Sequence, residues 1–444
     1  KPAGPTLRLA LKRVAGTKSA TKTLFINPGG PGEPGTGELT VEMGKSTVGA
    51  TLKKTLGKQY SIVGFDPRGV GASSPLDCLS DAQLDALYQE PAVPATAAAK
   101  ARLVNAVKGF ARGCQRNAGP LAAHVSTVEV AKDLDVLRAI VGDQKLNFLG
   151  SSYGTAIGST YAQLFPKLVG RIVLDGAEDP KLRGIAAQRS QVAGLQIAID
   201  AFVRDCVALT ATCPLGTTAD EAEQTLVSFI ERLATTPLST GDPKRPLNDQ
   251  RALIGIIATL YTPDTWSYLR LGLREALADD NGSFLADYAD SYTGRETTGY
   301  QANGNLFESN AVITCLDNAS RTGISTVEKA VSSFRAVSPV FGSMTAWGAL
   351  PCEVWPTRAT NPRPAIHPVG APPILVVGTT RDNATPYKQA VALTKALETA
   401  TLLTYDGDGH LAYLRDYPCI DRWVNRYFLT GKTPPKGTKC VQTP

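Results

Sequence analysis

The sequence predicts an α/β fold, a mostly parallel sheet wrapped by helices and interrupted late in the chain by a large helical insertion. Two observations set this expectation. Over residues 1–180, apolar runs of strand length alternate with stretches of helical periodicity. After Asp179-Pro180 only the helical periodicity continues, until strand-like runs return from Pro373 onward.

The early strands are expected at Thr23–Ile26, Tyr60–Phe65, Leu146–Leu149 and Arg171–Leu174. They are fed by loops rich in Gly, Pro and Asp, the pattern of a parallel sheet covered on both faces. Ser126 and Glu129 carry the Ser-x-x-Glu signature of a capping box. The helix they open places Val130, Leu134, Leu137 and Val141 on one stripe and stops at Gly142. In the insertion, Val192, Leu195, Ile199 and Phe202 recur at helical spacing, as do Ala222, Leu226, Ile230 and Leu233. Pro373–Gly378 and Ala400–Tyr405 then restore the strand pattern. The expected organisation is a core of residues 1–180, a helical cap at 181–365 and a second core part at 366–444. Pro-rich residues 356–373 lead back into the core.

The 444 residues are 43% hydrophobic with a formal charge of +6, which suits a soluble globular protein with a sizeable core. No dense Lys/Arg block is present, which argues against nucleic acid as a partner; Lys12-Arg13 reads as a solvated strand end. The longest apolar run, Ala252–Ala258, is too short for a membrane span and reads as a buried helix. No leader is legible, and the Lys1-Pro2-Ala3-Gly4-Pro5 start is read as a processed one. A monomer is the default expectation.

Eight cysteines are scattered along the chain without a Cys-x-x-Cys, and the three histidines lie far from metal-ligand spacing. Neither a metal nor a cofactor is expected. The even count and only two methionines suit an oxidising, secreted setting; the alternative is eight reduced, buried thiols in a cytosolic enzyme. Many pairings are open. Pairing in chain order, Cys78–Cys114, Cys206–Cys213, Cys315–Cys352 and Cys419–Cys440, keeps each loop within one structural region.

The chemistry centres on Gly150-Ser151-Ser152-Tyr153-Gly154, directly after the run Leu146–Leu149. A strand that breaks sharply into a helix needs small residues two positions either side of the apex, and it pushes the apical serine into a cleft. Serine needs a base, and the base needs an acid to hold its tautomer. His410, in Gly407-Asp408-Gly409-His410 just past a late strand, lies where ligands bind in open α/β sheets. His124 precedes a helix and His367 sits in the Pro-rich return, so neither competes well. Asp382 follows the preceding strand, with Asp406 and Asp408 read as turn-formers. The order Ser152, Asp382, His410 is that of an α/β-hydrolase. Oxyanion donors are expected from Gly30, in Asn27-Pro28-Gly29-Gly30-Pro31-Gly32, and from the amide of Tyr153. That loop lacks the ending of a phosphate-binding loop.

With these motifs, Asp66–Ser73, Val173–Gly176, Ile313–Asp317 and Cys352–Pro356, the chain resembles the secreted tripeptidyl aminopeptidases of actinobacteria over nearly its whole length. These are α/β-hydrolases related to prolyl iminopeptidases. The resemblance implies Ser152, Asp382 and His410 as a triad, Gly30 and Tyr153 at the oxyanion hole, and a helical cap above them. Arg68 is expected to brace the loop beneath the site. The chain departs from the family at Glu33-Pro34, where members usually continue the Gly-rich loop with small residues.

An enzyme that cuts from the amino end must bind an ammonium group, which calls for a partly desolvated carboxylate. An extended peptide advances about 3.3–3.6 Å per residue, so a carboxylate roughly 10 Å from the serine hydroxyl would select tripeptides. Glu178 and Asp317 are the leading candidates for this ruler, followed by Glu33 and Glu353. The expected function is release of short peptides, tripeptides first, from peptides or proteins with a free amino terminus. Its rate should rise with pH as His410 loses its proton. The alternatives are a secreted carboxylesterase or lipase with the same triad, and a non-catalytic binding protein on a hydrolase scaffold.

Overall fold

The computed structural model describes residues 4, 6–39, 48–209, 212–301, 304–318, 321–358 and 360–441. Its strands are β1 (Leu11–Val14), β2 (Lys22–Asn27), β3 (Tyr60–Phe65), β4 (Leu146–Ser151) and β5 (Val169–Asp175). A two-residue ladder in the insertion, β6 (Arg295–Glu296) and β7 (Gly299–Tyr300), stands apart. β8 (Leu375–Arg381), β9 (Thr401–Asp408) and β10 (Lys439–Val441) complete the main sheet. Its order is β1-β3-β2-β4-β5-β8-β9-β10, parallel throughout except for the edge strand β1.

Alternation along each strand explains why the apolar runs are continuous. Phe25, Phe148, Ile172, Leu174 and Val376 join the core on one face of the sheet. Leu24, Ile26, Leu149, Val173, Leu375 and Val377 join the core on the other. The helix Thr127–Ile140 carries the Ser126/Glu129 capping box, and Gly142 follows it at φ +80°. Val130, Leu134 and Leu137 are buried along it, but Val141 is 42% exposed, because the helix has ended and the chain is turning outward there.

Two other local expectations are corrected. Lys12 and Arg13 lie inside an edge strand rather than at a strand end, where only one side of the backbone is paired. Asp406 and Asp408 belong to β9 and do not form a turn: Arg381 of neighbouring β8 reaches both, at 3.1 and 2.7 Å, which extends the ladder to Asp408.

Between β5 and β8 the chain is almost wholly helical, from Gly184–Ala208 to Leu350–Val354. Val192, Leu195, Ile199, Phe202, Leu226 and Leu233 share a core of their own with Ala252–Leu253 and Ile256. The later helix Leu306–Asp317 instead packs into the core beneath the sheet through Val312, Ile313 and Leu316. An additional helical excursion, Asp81–Tyr88 and Ala97–Ala118, rises between β3 and β4. Arg245 and Arg295 of the insertion both pair with its Asp85, at 3.0 and 3.1 Å. Residues after Val354 return to β8 without regular structure among those described.

Disulfides join Cys78–Cys114, Cys206–Cys213, Cys315–Cys352 and Cys419–Cys440. The last ties the short β10 to the helix Pro418–Thr430. Cys315–Cys352 links the helices Leu306–Asp317 and Leu350–Val354 inside the core. Replacing both Cys315 and Cys352 with alanine should lower unfolding stability by about 2–5 kcal/mol, read from denaturant melts.

Candidate active site

β2 and β4 are neighbours, but β2 leads to β3 on one side while β4 leads to β5 on the other. The strands stay paired up to Asn27 and Gly150, but the connections that leave them run in opposite directions, which leaves a crevice above their carboxyl ends. Ser152 occupies the apex after β4 at φ +53°, a strained conformation for a residue with a side chain. The spacing of glycines has a direct cause: a Cβ at Gly150 would lie 2.4 Å from the carbonyl oxygen of Gly154, and one at Gly154 would lie 2.8 Å from that of Asn27. The Ser152 amide donates to the carbonyl of Asp175 at 2.8 Å, which locks the apex onto β5.

The turn after β2 approaches from the other side. A Cβ at Gly29 would lie 2.7 Å from Cβ of Ser152 and 3.3 Å from the amide nitrogen of Tyr153. Gly29 and Gly30 adopt φ of +119° and +102°, open to glycine alone. Tyr153 turns its side chain inward, where its hydroxyl meets Oγ1 of Thr127 at 2.7 Å.

Asp382 and His410 follow β8 and β9. Nδ1 of His410 lies 2.9 Å from both carboxylate oxygens of Asp382. Asp382 also accepts from the amides of Ala384 and Thr385 at 2.8 Å, and from the Thr385 hydroxyl at 3.1 Å. An Nδ1–H given to Asp382 leaves the lone pair on Nε2. Nε2 has no hydrogen-bond partner among the described residues, and His410 and Ser152 line one cavity of about 780 Å³. The insertion closes over it: the His410 amide donates to the Tyr261 carbonyl at 2.8 Å, and the Tyr261 ring stands edge-on to the imidazole at 5.6 Å.

Gly30 and Glu33 line the same cavity, as do Glu38, Arg415, Tyr88, Tyr292 and Phe307. Burial raises the carboxyls of Glu33 and Glu38 above their ordinary range; the neighbouring Glu38 raises Glu33 further, while Arg415 partly offsets the effect at Glu38.

The other expected carboxylates lie outside the cavity lining. Glu178 and Asp317 both face Arg363, at 4.0 and 3.9 Å, and Asp317 accepts the Thr127 amide at 3.0 Å. Burial raises both carboxyls, with Arg363 working against it. Glu353 accepts the Gly323 amide at 2.6 Å, ahead of the helix Ile324–Arg335. Each of these three acids faces an intramolecular partner instead. Arg68 grips Asp133 through two hydrogen bonds, at 2.7 and 2.5 Å, and donates to the His124 carbonyl at 2.9 Å. It braces the loop after β3. Among the described residues no group of His, Cys, Asp or Glu side chains is placed to hold a metal ion.

Residues 22–226 match the family described as alpha/beta hydrolase fold, and residues 338–440 match that described as TAP-like protein. Serine protease Hip1 of Mycobacterium tuberculosis is 39% identical over 99% of this chain and 85% of its own length. The chain belongs to the TAP-like α/β-hydrolases. It is a serine hydrolase. The tripeptidyl aminopeptidase of Streptomyces lividans is 32% identical over 99% of this chain and 81% of its own length. Carboxylesterase B of Mycobacterium tuberculosis is 35% identical over 99% and 84%.

Sequence reasoning missed Tyr261, Glu38 and the partners of Glu178. Tyr261 follows the apolar run 252–258 but carries no local sign of contact with a residue near position 410. Because a methyl group at position 29 collides with Ser152 and strains the backbone, Gly29→Ala should lower the thermal melting point and, per folded molecule, lose about 10²-fold in kcat/KM.

Proposed function

We propose that this TAP-like hydrolase is an extracytoplasmic serine peptidase that releases short peptides, tripeptides foremost, from the free amino end of peptides or proteins. In this reading Nε2 of His410 takes the proton of Ser152, whose oxygen attacks the carbonyl before the scissile bond. The amides of Gly30 and Tyr153 receive the oxyanion. His410 then protonates the departing amine, and water, activated the same way, hydrolyses the acyl-enzyme. Asp382 keeps the imidazole in the right tautomer throughout. The helical insertion acts as the cap that shields the cavity from bulk water.

The observation that carries amino-end recognition is Glu33 in the cavity lining with Ser152, without an ion-pair partner among the described residues. It stands one turn past the oxyanion loop, its amide donating to the Gly29 carbonyl at 3.3 Å. Four disulfides support an oxidising compartment. The names of the Hip1 and tripeptidyl aminopeptidase relatives support a peptide substrate.

The test is steady-state cleavage of chromogenic mono-, di- and tripeptides, each with a free and a blocked amino end. Free tripeptides should be cut best, and blocking the amine should raise KM by roughly tenfold or more, the worth of one charge-assisted hydrogen bond. Equal rates on free and blocked substrates would refute amino-end recognition. Glu33→Gln should raise KM for the free tripeptide by a similar factor with little change in kcat.

Acidity has a defined direction. Only ionised Glu33 attracts an ammonium, and its carboxyl is raised, so KM should climb as pH falls through that raised value, above the usual carboxylate range. In Glu33→Gln this rise should disappear. The relative named carboxylesterase favours a second reading, an esterase that needs no ammonium acceptor. Under it, Glu33→Gln would leave every substrate untouched; under the peptidase reading it spares only small activated esters.

A further inference from the structure

Asp175, the last residue of β5, is 1% exposed and touches both halves of the proposed machinery. Its carbonyl accepts the Ser152 amide at 2.8 Å. Its Oδ2 accepts the amides of Ala412 and Tyr413 at 3.0 and 2.8 Å, in the segment that follows His410 and Leu411. Oδ1 has no hydrogen-bond partner among the described residues.

The segment it holds is strained. Leu411, Leu414 and Asp416 adopt φ of +70°, +63° and +59°, where side chains are disfavoured. The next residue, Gly176, leaves no room behind it: a Cβ there would lie 2.7 Å from Cδ2 of Leu411 and 2.9 Å from Cε1 of His410. The imidazole thus packs directly against the end of β5.

We propose that Asp175 is a positioning residue that sets nucleophile and base together, its main chain fixing Ser152 and its carboxylate fixing the strained turn behind His410. The inference rests on the serine-hydrolase reading of Ser152 and His410. The ionisable groups around the ring are Asp382 from the β8 loop, Asp175 from β5, Glu178 just beyond it and the Tyr261 phenol from the insertion. Around Asp175 itself they are His410 and Asp382.

The fold alone gives little reason for a charge at this place. Burial raises the Asp175 carboxyl to about 6, despite the two amides that favour its ionised form. A carboxyl raised in the folded state adds stability below its unfolded value near 3.9, and that contribution is lost as pH rises through the folded value. At neutral pH the charge therefore works against folding, and asparagine would serve the packing as well.

The experiment follows inactivation of Ser152 by an organofluorophosphonate across pH in the wild type, D175N and D175A, alongside thermal melts. Labelling of the wild type tests the serine-hydrolase reading by itself. The inference expects D175N, whose side-chain oxygen can still accept both amides, to melt no lower than the wild type at neutral pH and to keep its reactivity per folded molecule. It expects D175A, which loses the amide contacts, to react about 10²-fold more slowly. A D175A rate per folded molecule equal to that of the wild type would overturn the inference, as would loss of reactivity that only tracks the unfolded fraction. If D175N melts early, the D175A rate per folded molecule decides: a wild-type rate overturns the inference and a 10²-fold loss supports it.

Discussion

Everything at this site depends on two backbones touching. The turn after β2 and the turn after β4 approach so closely that Gly29 has no space for a Cβ beside Ser152. That closeness brings the Gly30 segment and the Tyr153 amide to the same small volume as the serine. It also needs neighbouring strands whose onward connections run to opposite sides of the sheet, as those of β2 and β4 do. The strain of Ser152 at positive φ is borne by the hydrogen bond to Asp175 and by close packing around Gly150 and Gly154.

Charge is distributed with the same economy of partners. Asp382 is saturated by backbone amides, a hydroxyl and the imidazole, so it is committed to holding His410. Glu178 and Asp317 spend their charge on Arg363, which anchors the returning segment against the core. Glu33 and Glu38 differ, because both line the cavity with Arg415 as the nearby cation.

Much of this was legible in the sequence, and the division has a physical reason. The six core strands and the capped helix 127–140 announce themselves through local periodicity, and Ser152, Asp382 and His410 each follow a strand that can be read directly. Distances across the fold cannot be read that way. Glu178 stands at the start of the insertion and looks poised over the serine, but the Pro-rich return brings Arg363 to it first. Asp406 and Asp408, embedded among glycines, look like turn residues until Arg381 on the adjacent strand draws them into the ladder. Glu33 was visible as a break in a run of small residues, yet only the folded cavity distinguishes it from Glu353, which closes a turn elsewhere.

The insertion does more than roof the cavity. Tyr261 holds the His410 amide, Gly194 packs so near the carbonyls of Asp382 and Asn383 that a Cβ would lie 2.9 and 2.6 Å from them, and Arg245 and Arg295 pin Asp85. A hinge swinging this whole roof aside would strip the imidazole of a support each time a peptide entered. Any opening that leaves these contacts in place keeps the imidazole seated while the cavity exchanges its contents.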